Sequence, residues 1–350
     1  MHCSTSDSGD WESEAWKDAA MKPANAIHNP MDPALTAFLD VAEFKEQLGL
    51  LWPAVPEWGS VERIQTGVLK CHPGRRCAFE ISLKTGSVSH ELIGKVYKKE
   101  RPYVFEVMRA IRQAGFDEHA EFSVPQPLAY VPFQRLLVVT KAKGLHAAQV
   151  FLEGDAREQE MAAVRTAQWL VRFHALTCIP GPVLGSHTVF RKSFRACERL
   201  AECCPSLASK GQLLLEGLEP AFSSLVDVPM APGHGDFVPA HVFFTDRQVV
   251  TVDWDSFALC DPSRDVARFL LGLRRLAERH LGSIRALDPY AMLFQEAYLA
   301  SGDSRVAKNV PFYLAALCLR QAKRFVHRQR SRWRERAEAL LNEGLRALAG

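Results

Sequence analysis

The sequence predicts an α+β protein in which a small antiparallel β region comes first and a larger helical region follows. Apolar and polar residues alternate from Val61, and apolar residues recur at helical spacing from Arg157 onward. The length of 350 residues favours two lobes. We assign residues 31–140 to the smaller lobe and 141–350 to the larger one. Residues 1–30 are rich in Ser, Asp, Asn and Pro and are expected to form a disordered tail.

The composition is that of an ordinary soluble globular protein, with 47% hydrophobic and 24% charged residues. A net charge of +3 does not by itself indicate a nucleic-acid or membrane partner. The nine cysteines are scattered and include no C-x-x-C pair, which predicts reduced thiols and a cytoplasmic location. The polar, acidic amino terminus lacks an apolar signal segment, and no apolar run is long enough to predict a membrane span.

The smaller lobe is predicted to hold five strands, because the alternating pattern is interrupted by short turns rich in Gly, Pro and charged residues. The predicted strands are Val61–Cys71, Cys77–Leu83, Glu91–Tyr97, Pro125–Tyr130 and Arg135–Thr140. Two helices accompany them, one opening at Asp32-Pro33 and one running from Pro102 to Ala114, with Gly115 ending it.

The larger lobe is predicted to be helical. The helix Arg157–Leu176 is apolar on most sides, so we expect it to be buried, with His174 hydrogen-bonded to the backbone in the core. Another helix should begin at Asp261, a capping residue followed by proline. Further helices are predicted over Phe190–Leu200, over Gln212–Phe222 and through most of 286–350.

The stretch from Gly233 to Gly272 carries the chemistry. Two apolar strands, His241–Thr245 and Val249–Val252, are joined by a charged turn. This hairpin should place Asp236 and Asp253 side by side at one end. Two carboxylates so close repel each other unless a cation lies between them, and Mg²⁺ with a phosphate is the usual occupant.

Three motifs in this stretch resemble the signature of the aminoglycoside phosphotransferase and choline kinase group. The resemblance implies a bilobal protein-kinase-like fold and ATP-dependent transfer of the γ-phosphoryl group to a hydroxyl of a small metabolite. Asp236 would then be catalytic and Asp253 a metal ligand. The motifs are His234-Gly235-Asp236 with Pro239, Asp253-Trp254-Asp255, and Asp261-Pro262-x-x-Asp265-Val266-Ala267.

One position departs from the family pattern, because His241 stands where the family usually has a metal-binding Asn. An imidazole suits Mg²⁺ less well than an amide oxygen does, so Mn²⁺ is a possible alternative and Asp255 a further candidate ligand. A nucleotide-binding pseudokinase without transfer activity is therefore the alternative function.

The resemblance also implies a nucleotide site in the smaller lobe. Lys95 lies in an apolar strand and would bind the α- and β-phosphates of ATP, held by Glu106 of the following helix with Glu100 as the second choice. An ordinary surface position is the other interpretation of this lysine. By position, the chain from Thr140 to Ala142 would hold the adenine ring, unless it is a simple interdomain linker.

A glycine-poor turn precedes that lysine. Arg75 and Arg76 would supply positive charge to the nucleotide phosphates there, because Gly74 is the only glycine in the turn. Two solvated arginines on a hairpin tip are an equally good interpretation.

A basic run lies near the carboxyl terminus. We interpret it as a solvated helix face, or alternatively as a pocket wall or docking surface for an anionic partner or RNA. In either case the acceptor is expected to be neutral or anionic, not polycationic, and nucleic acid is not the expected partner. The eight basic residues, opposed by Glu335, are Arg320, Lys323, Arg324, Arg328, Arg330, Arg332, Arg334 and Arg336.

Overall fold

The structure is a computed structural model that describes residues 58, 61–72 and 76–350. The predicted tail 1–30, the predicted helix at Asp32-Pro33 and the turn residues Gly74 and Arg75 lie outside the described residues. In the described part, no helix combines the length and the apolar character needed to cross a membrane.

Twelve strands and nine α-helices form within the described ranges. The strands are β1 (Arg63–His72), β2 (Arg76–Thr85), β3 (Val88–Tyr97), β4 (Phe122–Ser123), β5 (Pro127–Val131), β6 (Leu136–Thr140), β7 (Leu145–His146), β8 (Val183–Leu184), β9 (Ala231–Gly233), β10 (Val242–Phe244), β11 (Val249–Thr251) and β12 (Ala258–Cys260). The helices are α1 (Pro102–Gln113), α2 (Ala147–Glu153), α3 (Ala156–His174), α4 (Ser186–Cys203), α5 (Pro205–Ser223), α6 (Ser263–Leu281), α7 (Asp288–Ser301), α8 (Val306–Arg328) and α9 (Trp333–Ala349).

The chain divides into two compact units. The first contains the described residues up to Lys143 together with Val250–Val252, and the second contains Gly144–Val249 and Asp253–Gly350. The mixture of antiparallel strands and helices confirms the predicted α+β class.

The first unit is built on a five-stranded antiparallel sheet in the order β1-β2-β3-β6-β5. Alternate residues of its strands are buried on one face, where Phe79, Ile81 and Leu83 of β2 pack with Leu92 and Val96 of β3. This alternation is the pattern that predicted the strands, and their positions are confirmed to within a few residues.

The hairpin of β1 and β2 is closed by a disulfide. Cys71 lies directly opposite Cys77, with their Cα atoms 4.1 Å apart, and the two sulfurs are bonded. The expectation of reduced thiols is wrong for this pair, because the strand register brings the two side chains together. The signal in the sequence was the short turn between the two cysteines.

The second unit has a helical core with an aromatic centre. Helix α3 begins with a capping box. The Asp155 side chain accepts a hydrogen bond from the backbone N–H of Glu158, and the Glu158 side chain accepts one from the backbone N–H of Asp155. The side chains of Trp169 and Phe173 of this helix are buried against the ring of Trp254. The helices predicted over 190–200 and 212–222 are confirmed as α4 and α5, which are longer.

The basic run forms two helices with a break between them. Helix α8 ends at Arg328, and α9 begins at Trp333. Between them, Gln329 and Arg332 adopt positive φ angles of 46° and 55°. The break turns the chain, so that α9 packs against α8.

Candidate active site

Asp265 holds the turn His234-Gly235-Asp236 from behind. Its Oδ2 accepts a hydrogen bond from the His234 backbone N–H at 2.6 Å, and its Oδ1 accepts one from Gly235 N–H at 2.8 Å. Gly235 has φ +79°, and a Cβ there would lie 2.0 Å from the carbonyl oxygen of Ser256, so only glycine fits. Asp265, near the start of α6, therefore supports the turn structurally.

A chain of side chains extends the support behind Asp265. His174 Nε2 lies 3.4 Å from Asp265 Oδ2, and His174 Nδ1 lies 2.8 Å from the Tyr298 hydroxyl. Because a carboxylate can only accept, Nε2 carries the proton and Nδ1 accepts from the tyrosine. The prediction that His174 bonds to the backbone is wrong, since its partners are these two side chains.

The electrostatics keep Asp265 ionised. Burial alone would raise the pKa of its carboxyl, but the hydrogen bond from His174 and the charge of Arg264 outweigh burial and lower it. An ionised carboxylate accepts on both oxygens at once, as the turn requires.

Asp236 is buried at the end of this turn, with 1% of its surface exposed. Its Oδ1 accepts two hydrogen bonds from Arg268, from Nε at 2.9 Å and from Nη2 at 2.5 Å. Its Oδ2 has no hydrogen-bond partner among the described residues. One oxygen is therefore held in place while the other can accept a proton or bind a cation.

Arg268 also sets the charge state of Asp236. Burial would raise the pKa of the Asp236 carboxyl, but the charge and hydrogen bonds of Arg268 outweigh burial, and the pKa is lowered. Sequence reasoning missed Arg268. The available signal was its spacing of three residues from Asp265, which puts both on one face of α6.

His241 lies between the two carboxylates of the predicted site. Its Nδ1 donates to the backbone carbonyl of Asp236 at 2.8 Å, because a carbonyl can only accept. The neutral ring therefore has its lone pair on Nε2, which lies 3.6 Å from Asp253 Oδ2. This tautomer can ligate a metal through Nε2.

Asp253 lies two residues after the end of β11, with a left-handed backbone of φ 69° and ψ 60°. A non-glycine residue in this region is uncommon and costs about 1 kcal/mol or more, and such residues cluster at functional sites. The ring of the next residue, Trp254, is buried beside the ring of His234. This packing fixes the direction in which the chain leaves Asp253.

Asp236, His241 and Asp253 form one group whose potential ligand atoms all lie within 4.8 Å of one another. Two carboxylate oxygens and one imidazole nitrogen fit a divalent cation, and the buried, unbonded Oδ2 of Asp236 points to the same conclusion. The nitrogen favours Mn²⁺ over Mg²⁺. Asp255, predicted as a further ligand, is 8% exposed and lies outside this group.

The predicted nucleotide residues belong to the first unit, whereas the group around His241 belongs to the second. Lys95 is partly buried in β3, opposite Ala78 and Leu137. The carboxylate of Glu106, on the exposed side of α1, lies 2.7 Å from Arg109.

The other predicted nucleotide residues lie at the ends of strands. Arg76 begins β2 opposite Tyr97. Thr140 ends β6, where its Oγ1 accepts a hydrogen bond from Gln126 N–H at 2.8 Å. Ala142 is partly buried two residues further on.

Comparison with known proteins places the chain in a family. The model of the phosphotransferase enzyme family (APH) matches residues 86–308. The chain belongs to this family. The motifs around Asp236 had predicted this membership, which is confirmed, and at the family level the chain is a small-molecule phosphotransferase.

Solved structures of this class share the fold. A choline kinase from Cryptosporidium parvum is 13% identical over 87% of this chain and 95% of its own, with a TM-score of 0.61. Spectinomycin phosphotransferase APH(9)-Ia with ADP and spectinomycin is 11% identical over 87% and 97%, with a TM-score of 0.57. APH(2″)-IIIa with GDP and kanamycin is 12% identical over 85% and 98%, with a TM-score of 0.55.

These similarities confirm the predicted protein-kinase-like fold. A comparison with curated proteins found no match.

Proposed function

We propose that this protein transfers the γ-phosphoryl group of ATP to a hydroxyl group of a small molecule that is neutral or anionic. The observation that carries the proposal is the group formed by Asp236, His241 and Asp253, whose ligand atoms lie within 4.8 Å of one another. The nucleotides in similar structures, ADP and GDP, support the use of a nucleoside triphosphate.

Asp236 would orient the acceptor hydroxyl and take its proton. Arg268 holds Oδ1, so Oδ2 is the oxygen that accepts. The lowered pKa of this carboxyl keeps it ionised at neutral pH. Because phosphoryl transfer depends mostly on positioning and charge neutralisation, the fixed geometry of this carboxylate contributes more than its basicity.

Asp253 and His241 would hold the divalent cation, Mg²⁺ or Mn²⁺, that neutralises charge on the nucleotide phosphates when it is bound. His241 contributes the lone pair of Nε2, which its hydrogen bond to Asp236 O fixes in direction. In the first unit, Lys95 would bind the α- and β-phosphates with Arg76, and the backbone from Thr140 to Ala142 would bind the base.

Two variants test this assignment. Asp236→Asn should keep most of its nucleotide affinity, because Asp253 and His241 still hold the cation, while its turnover falls by about 10²- to 10⁴-fold, because the proton acceptor is lost. Asp253→Ala should lose metal-dependent nucleotide binding. Calorimetry with ATP and GTP measures binding, and phosphate transfer to a panel of hydroxylated metabolites measures turnover.

A matched control is available on the same hairpin. Asp246 is an exposed carboxylate in the turn between β10 and β11, so Asp246→Asn should change neither binding nor transfer. Equal turnover by wild type and Asp236→Asn would reject the assignment of Asp236. Turnover should be higher with Mn²⁺ than with Mg²⁺, because an imidazole nitrogen is in the ligand set.

The second candidate function is nucleotide binding without transfer. The observation that favours it is the state of Asp236, which is almost completely buried and paired with the buried Arg268. Transfer of phosphate to a defined acceptor by the wild type, and loss of this transfer in Asp236→Asn, would support the enzyme. Nucleotide binding with no transfer to any acceptor would decide for the second candidate.

A further inference from the structure

The turn that carries Asp236 is held by its backbone from the first residues of α6. Asp265 accepts hydrogen bonds from the N–H groups of His234 and Gly235, so it fixes the first two peptide groups of the turn. The third peptide group joins Gly235 to Asp236. Because a peptide group is planar, the orientation of this third group sets the direction of the Asp236 backbone and therefore of its side chain.

Arg264 holds this third peptide group. The carbonyl oxygen of Gly235 accepts a hydrogen bond from Nη2 of Arg264 at 3.2 Å. On the other side of the same peptide group, the N–H of Asp236 donates to Nδ1 of His234 at 3.3 Å, which is long for a hydrogen bond. The bond from the guanidinium is charge-assisted, and such bonds are about twice as strong as neutral ones. Arg264 is therefore the stronger of the two restraints.

The glycine makes a restraint from outside the turn necessary. Gly235 has φ +79°, and a peptide group next to a glycine rotates easily because no Cβ opposes the rotation. A larger residue cannot stiffen the turn, because its Cβ would clash with the carbonyl oxygen of Ser256 and would lie 3.0 Å from Nη1 of Arg264. The close packing that requires glycine thus also brings the arginine to the turn.

Arg264 is itself fixed between β12 and the turn. Its side chain is partly buried, and its Nη1 lies 3.9 Å from Sγ of Cys260, a residue that is fully buried. Arg268 follows Arg264 by four residues and lies on the same face of the helix. Its Nε donates to Oδ1 of Asp236 at 2.9 Å. One arginine therefore holds the carboxylate of Asp236, and the other holds the backbone that precedes it.

We propose that Arg264 is a positioning residue for phosphoryl transfer, which orients the carboxylate of Asp236 by holding the carbonyl group of Gly235. The proposal rests on the proposed function, in which Asp236 accepts the proton of the acceptor hydroxyl. Because a small misplacement of a reacting group costs much of its effect, loss of the Arg264 bond lowers turnover more than it weakens substrate binding.

The same restraint reaches the candidate metal ligands. Nδ1 of His241 donates to the carbonyl oxygen of Asp236, which is the next carbonyl along the chain. A rotation of the peptide group before Asp236 therefore displaces His241 together with the Asp236 carboxylate. Cation affinity thus reports the position of the turn without any transfer.

The first experiment measures the kinetics of Arg264→Ala with the acceptor that the metabolite panel identifies. The kcat should fall by about 10- to 100-fold, with the KM values of ATP and acceptor changed by less than about threefold. Ethylguanidinium contains the atoms that the substitution removes, so adding it should restore part of the kcat. Arg195→Ala is the matched control, because Arg195 is exposed on α4. It should keep the wild-type kcat and show no response to ethylguanidinium.

A double variant tests whether Arg264 acts through Asp236. If it does, adding Arg264→Ala to Asp236→Asn should lower kcat by less than about twofold, because the group that Arg264 orients is already lost. A further fall as large as that of the single Arg264→Ala variant would overturn the proposal, because Arg264 would then act independently of Asp236.

The second experiment needs no transfer. Mn²⁺ is titrated into the full chain without nucleotide, and electron paramagnetic resonance measures the free ion. Arg264→Ala should weaken Mn²⁺ binding by about tenfold, as is common when a group that orients metal ligands is lost. Since removal of a positive charge by itself strengthens the binding of a cation, weaker binding identifies the positioning effect. Arg195→Ala should bind Mn²⁺ as the wild type does.

The results separate this proposal from the proposed function. Wild-type kcat and unchanged or tighter Mn²⁺ binding in a folded Arg264→Ala variant would overturn the positioning role and leave the phosphotransferase intact. If that variant does not fold, Arg264→Lys, which keeps the charge and removes the fork of donors, decides by the same two measurements. Weaker Mn²⁺ binding in the variant, with no transfer by the wild type to any acceptor, would support the positioning of the turn and contradict the proposed function.

Discussion

At the scale of single residues, Asp265 organises the turn that carries Asp236, although it takes no part in the proposed chemistry. Both of its oxygens are used by backbone N–H groups of the turn. Asp265→Asn should lower the free energy of unfolding by about 2–3 kcal/mol, because an amide nitrogen cannot accept a hydrogen bond and a buried donor is left unpaired. Urea denaturation measures the change, and Asp246→Asn on the exposed turn is the control. An Asp265→Asn variant as stable as the wild type would contradict this role.

The same residue gives a pH dependence with a definite sign. The pKa of Asp265 is lowered in the folded protein, so its stabilising contribution is complete above the unfolded value of about 3.9. The contribution is lost as the pH falls through the folded pKa. The stability difference between wild type and Asp265→Asn should therefore shrink below about pH 4. If the stability difference between wild type and Asp265→Asn stayed constant below pH 4, the charge of the Asp265 carboxylate would not contribute to stability.

Much of the candidate site could be predicted from the sequence motifs. The residues that could not be predicted have roles that depend on how side chains pack. The motifs place Asp236 and Asp253 at the two outer ends of a hairpin, so their approach follows from strand geometry. Arg268 could not be predicted from the motifs, because its role depends on which way its side chain points from α6.

At the scale of elements, the β1–β2 hairpin is stabilised by a covalent bond between its strands. The disulfide of Cys71 and Cys77 closes a loop with a sequence separation of 6. Replacing both cysteines by serine should lower the free energy of unfolding by about 2 kcal/mol, the loop-closure entropy for this length. Urea denaturation with and without dithiothreitol measures it, with Cys203→Ser, at an exposed thiol, as the control. Equal free energies of unfolding for the oxidised and the reduced protein would contradict a stabilising disulfide between Cys71 and Cys77.

The elements themselves were largely predictable, and their ends were not. The strands of the first unit could be predicted because apolar residues, which face the buried side of the sheet, alternate with polar residues along each strand. Helix α4 extends beyond the predicted residues because its polar ends show no apolar periodicity. The break between α8 and α9 falls at Gln329 and Arg332, residues that rarely take positive φ, so no glycine or proline marked it.

At the scale of the whole molecule, the chain has two cores of different kinds. The first unit is stabilised by one buried face of an antiparallel sheet, and the second by helices packed around aromatic side chains such as Trp169. Each core draws on residues of its own unit. The two cores should therefore respond separately to changes that act on only one of them.

Calorimetric unfolding tests this separation. Two transitions are expected, because multidomain chains with separate cores commonly unfold in steps. Dithiothreitol should lower the temperature of one transition only, since the Cys71–Cys77 bond lies in the first unit. Asp265→Asn should lower only the temperature of the other transition, because Asp265 supports a turn in the second unit. A single transition that both changes shift equally would show that the two cores unfold together and would contradict this view of the molecule.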